Sequence, residues 1–140
     1  MKHLIVGAGA TLLALTSVPA HAHGTPEPQE TVTRVFEREL PDVPGKSLVA
    51  VEVRYPPGGA SPPHTHPKSA FIYAHVVSGE VVSAVDDERP RVYRAGEGWY
   101  ESPGAHHRVS RNASKTKPAK ILAVFVLDAG ERQLVFPDRQ

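Results

Sequence analysis

The residues in this chain best suited to chemistry are His64-Thr65-His66. On an extended strand, residues two apart share a face, so both imidazoles can reach a single metal ion. Pro62-Pro63 just before them sets the direction of the entering backbone and suits the start of a strand rather than its centre. A second pair, His106-His107, is adjacent in sequence, so on a strand only one of the two can face a common site. The chain has eight histidines and no cysteine. That excludes a disulfide, a thiolate-bound zinc, an iron–sulfur cluster and a thiol nucleophile. Any metal must be held by imidazole, carboxylate, amide or carbonyl groups.

Other chemical signatures are weak. Gly58-Gly59 opens no helix and is not followed by Lys-Ser/Thr, so it makes no phosphate-binding loop. Ser61 and Ser78 lack the turn context of a nucleophilic serine. Met1-Lys2-His3, an uncharged apolar run from Leu4 to Val18, and Ala20-His21-Ala22 together read as a secretory signal peptide over 1–22, cleaved after Ala22. The run is shorter than the roughly 20 apolar residues that span a bilayer, and it meets Pro19. The expected location is therefore periplasmic or secreted, with no membrane attachment after cleavage. Loss of Lys2 leaves 15 basic against 15 acidic residues, and a neutral mature chain offers no electrostatic footprint for nucleic acid. Residues 23–30 read as a polar, flexible lead-in. Cleavage after Ala22 would make His23 the new terminus, where its α-amino group and imidazole could chelate copper.

Positioning these histidines falls to strands. From Thr31 onward, short β-branched alternating segments are separated by Pro/Gly turns. They predict strands over 32–40, 48–55, 70–77, 80–85, 91–94, 98–101, 106–112, 119–128 and 133–136. No stretch has sustained helical periodicity with caps. With 140 residues and no internal repeat or linker, the expectation is one all-β domain over 31–140, a sandwich, jelly roll or barrel.

The spacing of glycines and histidines resembles that of the cupin family. Gly58, five residues, His64-x-His66 and the later Gly79 of Val77-Ser78-Gly79-Glu80 follow the first cupin motif. Gly96, five residues, Ser102-Pro103-Gly104-Ala105-His106-His107 and then Asn112 follow the second. The resemblance covers Val51 to Val126 and implies a single-domain cupin jelly-roll β-barrel with one metal site inside. By position it makes His64, His66 and His107 ligands of one divalent transition metal, Fe, Mn, Ni, Zn or Cu. It also expects an acid shortly after the first His pair. Counting back from Gly79 reaches Ile72 and counting forward from His66 reaches Phe71, and neither can bind a metal.

Two residues could replace that acid. Glu101 stands where cupin strands usually carry an inward apolar residue, so its carboxylate could enter the barrel as a ligand or a general base. His75 could turn inward if a bulge near Ala70 reversed the alternation. Tyr73, Trp99 and Tyr100 are candidates to line a pocket, and Arg108 and Arg111 could meet an anionic substrate. The function implied is a metal-dependent oxidoreductase, dioxygenase or isomerase acting on a small organic acid or phenolic compound. The alternatives are a non-catalytic barrel that holds metal or a small ligand, and a barrel that has lost its metal. The resemblance also suggests a homodimer, with the strand after Glu30 and the segment 133–136 as candidate interfaces.

Overall fold

The computed structural model describes residues 29–139. The signal-peptide reading, with His3, His21 and the His23 terminus, lies outside the described residues. In chain order the strands are β1 (Thr31–Glu39), β2 (Lys46–Tyr55), β3 (Ala60–Ser61), β4 (His64–Thr65), β5 (Phe71–Ser78), β6 (Glu80–Val85), β7 (Arg91–Arg94), β8 (Gly98–Glu101), β9 (His106–Asn112), β10 (Ala119–Asp128) and β11 (Phe136–Pro137). There is no helix among the described residues.

Two antiparallel sheets face each other. One has five strands in the order β1-β2-β10-β5-β8; the other runs β11-β4-β9-β6-β7, with β3 also paired to β9. Period-two alternation builds the core between them. β10 buries Ala119, Ile121, Ala123, Phe125 and Leu127, while β5 buries Ile72, Ala74 and Val76. Each large aliphatic side chain so removed from water contributes about 1.5–3 kcal/mol. The all-β jelly-roll expectation holds.

The short strands are where sequence and structure differ. Alternation needs four or more residues to be visible, and β3 and β4 have two each, set among prolines. The last strand, expected over 133–136, pairs only at Phe136 and Pro137, because the Leu134 carbonyl is taken by a histidine ring. Gln29 and Glu30, read as lead-in, already belong to the barrel wall: Gln29 pairs with Ala60 in a parallel bridge. β1 pairs with β2 along one edge, and Val32, Val35 and Phe36 on it are about half exposed.

Gly79 lets β5 turn directly into β6. Its φ is +75°, and a Cβ there would sit 2.6 Å from the Pro118 carbonyl oxygen. Gly79→Ala combines left-handed strain with a backbone clash, so it should cost about 2 kcal/mol or more and lower Tm by roughly 10 °C in a thermal melt. An unchanged Tm would show that this turn is not under constraint.

Candidate metal centre

Pairing in the second sheet brings the histidines together. His64 on β4 is the direct partner of His107 on β9, and Thr65 is the partner of His106. Directly opposed residues on neighbouring strands point to the same face. His64 and His107 therefore share the barrel interior, and His66, two residues on, joins them. One ring nitrogen from each lies within 4.8 Å of the others, so the three could hold a metal ion. His106 faces outward and pairs through Nε2 with Asp138 at 2.9 Å.

The carboxylate arrives from the opposite sheet. Glu101 on β8 is the register partner of Ile72 on β5, the position where the motif expects its acid. Ile72 is buried and Phe71 is exposed, so the inward position is the one counted from Gly79. Glu101 is only 2% exposed. Its Oε1 accepts from the Trp99 indole N–H at 3.1 Å and lies 3.3 Å from His107 Nδ1, while Oε2 lies 3.1 Å from His66 Nε2. The acid absent from β5 is thus matched by one on the neighbouring strand, and its side chain bridges the two sheets.

Alternation also decides what stays out. With Ile72, Ala74 and Val76 inward, His75 points outward, where its Nδ1 lies 3.2 Å from the Tyr73 hydroxyl. The expectation that a bulge turns His75 inward is corrected, because the register of β5 with β8 runs unbroken from Ile72 to His75. Tyr73 is 47% exposed and Tyr100 65% exposed, so neither lines the interior, again a correction. Trp99 shares the inward face with Glu101, and its ring centroid is 5.9 Å from that of His107. It packs behind the site rather than lining the cavity. Arg108 is committed to the backbone carbonyls of Asp86 and Glu88 and Arg111 is exposed, so neither meets the interior.

The imidazoles are held from behind. His64 Nδ1–H donates to the Pro62 carbonyl and His66 Nδ1–H to the Leu134 carbonyl, both at 2.8 Å. Donation from Nδ1 leaves Nε2 of each ring with a bare lone pair, the form that binds a metal. His107 Nε2 is 2.9 Å from the Ser83 hydroxyl. Burial pushes the His107 pKa down to about 4 and also lowers that of His64. For Glu101, burial works to raise the pKa, but the His66 and His107 rings beside it and the Trp99 N–H outweigh it, and the net direction is down. Ionised carboxylate beside neutral imidazole is the protonation state that metal ligation requires.

The residues fit a metal on a further observation. His66 Nε2 and Glu101 Oε2 are both buried and neither makes a hydrogen bond, although they lie 3.1 Å apart. Two acceptors facing each other in a buried site are stable only with a cation or a proton between them. The surrounding cavity has a volume of about 340 Å³. Its walls are mostly apolar, including Val51, Val53, Ile72, Ile121, Ala123 and Phe125, and the histidines and Glu101 form a polar part of the lining. Tyr55 and Ser110 also line it, with hydroxyls 2.7 Å apart. Tyr55 is not among the residues the sequence singled out, although its place after Val49, Val51 and Val53 in the inward phase of β2 is a signal that could have found it, whereas nothing in the sequence pattern pointed to Glu30, which lines the cavity too.

Residues 51–125 match the Cupin domain family. The chain belongs to the cupin family. Germin-like protein 9-3 of Oryza sativa subsp. japonica is 38% identical over 61 residues, 44% of this chain and 28% of that one. A recombinant oxalate oxidase in complex with glycolate superposes with a TM-score of 0.55 at 28% identity, over 73% of this chain and 52% of the other. An rmlc-like cupin family protein with a double-stranded beta-helix fold from Methanocaldococcus jannaschii shares the fold, with a TM-score of 0.51 and 18% identity over 69% of this chain and 82% of that one. This cupin covers only 28% to 48% of the length of the germin-like relatives it matches.

Elemental analysis of the purified cupin should find about one metal ion per chain, lost in the His64→Ala/His66→Ala double variant. Equal trace metal in both proteins would overturn the site. Glu101→Gln should lower metal affinity by roughly tenfold or more, and an unchanged affinity would remove this carboxylate from the centre.

Proposed function

We propose that this protein is an exported, metal-dependent cupin, an oxidoreductase, dioxygenase or isomerase whose substrate is a small organic acid or phenolic compound. One observation carries the reading. Three imidazoles and a buried carboxylate converge on one cavity whose walls are otherwise largely apolar. A site of this composition is unlike a structural metal site closed on all sides by protein ligands, because the chamber beside it has room for a ligand. The oxalate oxidase of similar fold, at 28% identity, was solved in complex with glycolate, which supports a small oxygen-bearing ligand for this chain.

His64, His66 and His107, with Glu101, are the residues that would hold the ion. A bound divalent metal supplies Lewis acidity or a redox centre, and imidazole suits Fe, Mn, Ni, Zn and Cu. The chain's own residues prepare the site. The carbonyls of Pro62 and Leu134 and the Ser83 hydroxyl hold the rings in position. Trp99 fixes Glu101 Oε1 and shields it from solvent, so the carboxylate keeps its charge in a dry surrounding. Phe125 packs edge-on against His66 at 5.6 Å between ring centroids. Val51, Val53, Ile121 and Ala123 exclude water and orient an apolar body toward the histidines.

Iron-loaded protein mixed with a panel of catechols, β-diketones and flavonols should consume oxygen in an electrode assay, with the rate abolished in His64→Ala/His66→Ala. Stoichiometric metal with no turnover of any panel member would favour a non-catalytic binding module instead. A second copy of the chain is the proposed partner, with the unpaired edge of β1 and its exposed Val32, Val35 and Phe36 as the supporting surface. Light scattering at micromolar concentration should give the dimer mass, and a monomer would reject this assembly.

A further inference from the structure

A second acid shares the chamber with the metal centre. Glu30 lines the cavity, and its Oε2 is buried with no hydrogen-bond partner. The segment that carries it is pinned to the barrel by the parallel bridge between Gln29 and Ala60. Tyr55, Ser61, Ser110, His64, His66 and His107 line the same cavity, so the carboxylate shares one chamber with the hydroxyl cluster and the histidines. The Tyr55 hydroxyl is already engaged with the hydroxyls of Ser61 and Ser110, at 2.8 and 2.7 Å, and makes no bond to Glu30. No Lys or Arg is found among the described residues that line the cavity. Glu30 as a whole is half-buried, but its Oε2 faces this largely apolar space with no hydrogen bond from any described residue. Leaving such a group unpaired is costly, and a donor on a bound ligand removes the cost.

Charge decides which ligands can supply that donor. Glu101 and Glu30 are both on the cavity wall, and one divalent ion held by the imidazoles would match two carboxylates in charge. An uncharged ligand keeps that balance, whereas a carboxylate ligand adds negative charge to an apolar chamber that has no further cation. We propose that Glu30 sets the ligand class of this cavity, accepting a hydrogen bond from the hydroxyl group of a small uncharged phenol or enol and disfavouring carboxylates. The inference rests on the metal-centre reading given above and narrows it from organic acids and phenols to the second of these. It also separates this chain from the oxalate oxidase it resembles, which was solved with glycolate.

Phenol and benzoate are a matched pair, since they share a ring and differ in the group that would meet Glu30. Calorimetric titration of the zinc-loaded protein avoids turnover, because zinc has no redox chemistry. Phenol should bind at least about tenfold more tightly than benzoate. Glu30→Gln exchanges a charged acceptor for a neutral one, so phenol should weaken about fivefold and the preference should fall toward parity. Benzoate binding as tightly as phenol, a preference unchanged in Glu30→Gln, or no binding of either probe overturns the inference. The same titrations are run on metal-free protein, with metal content measured separately. Failure to take up metal overturns the reading of the site, while the phenol preference and its loss in Glu30→Gln still decide the role of Glu30.

Discussion

The structure depends on keeping one carboxylate charged inside a β-barrel. Glu101 is almost completely buried, and an isolated ionised acid in that setting would cost far more than a domain's margin of stability. Trp99 donates to one of its oxygens, and the rings of His66 and His107 lie within 3.3 Å, where a cation or a proton shared with the imidazoles makes the charged form tenable. Trp99 comes from the acid's own strand, while His107 belongs to the other sheet and His66 directly follows its strand β4. The polar centre is therefore a tie between the two layers as well as a place for chemistry.

This tie constrains register on both sides. A slip of one residue in β8 would send Glu101 to solvent and bring Tyr100 inward, and a slip in β9 would exchange His107 for His106. Outer and inner faces are accordingly distinct in composition. The aromatics of β5 and β8 that face solvent stack on each other, as Phe71 does on Tyr100, and take no part in the cavity. Inside, Val51, Val53, Ile72, Ala74, Ile121 and Ala123 from β2, β5 and β10 give the wall an apolar side, against which the histidines and the two acids stand out chemically.

The longer strands were legible because β-branched residues alternate over six or more positions between clear turn signals. β10, with five inward residues in strict alternation, was read with the boundaries it has. Strands of two residues carry no such period, so β3 and β4 emerged only from their pairing with β9. In the site, the His64/His66 pair was readable from spacing, and His107 from its place in a second motif. Tyr73 and Tyr100 were misplaced because residue type alone does not say which face of a strand an aromatic occupies. Glu30 was missed for a different reason: an acid in a short polar segment looks like any solvated residue until the chain beyond it is seen to close against Ala60.

By itself the sequence determined the fold class, the turn positions and the three histidines, because local periodicity and fixed spacings are properties of the chain. It also posed the question of the absent acid. Only the tertiary structure answered it, since the residue that stands in for position 72 is 29 places away in sequence and adjacent only through the pairing of β5 with β8. The same holds for the second acid in the chamber, the outward turn of His75 and the lack of a Lys or Arg among the described residues of the cavity wall. Each is a matter of which strands lie side by side, and that is decided by long-range pairing and by the burial of charge rather than by any local run of residues.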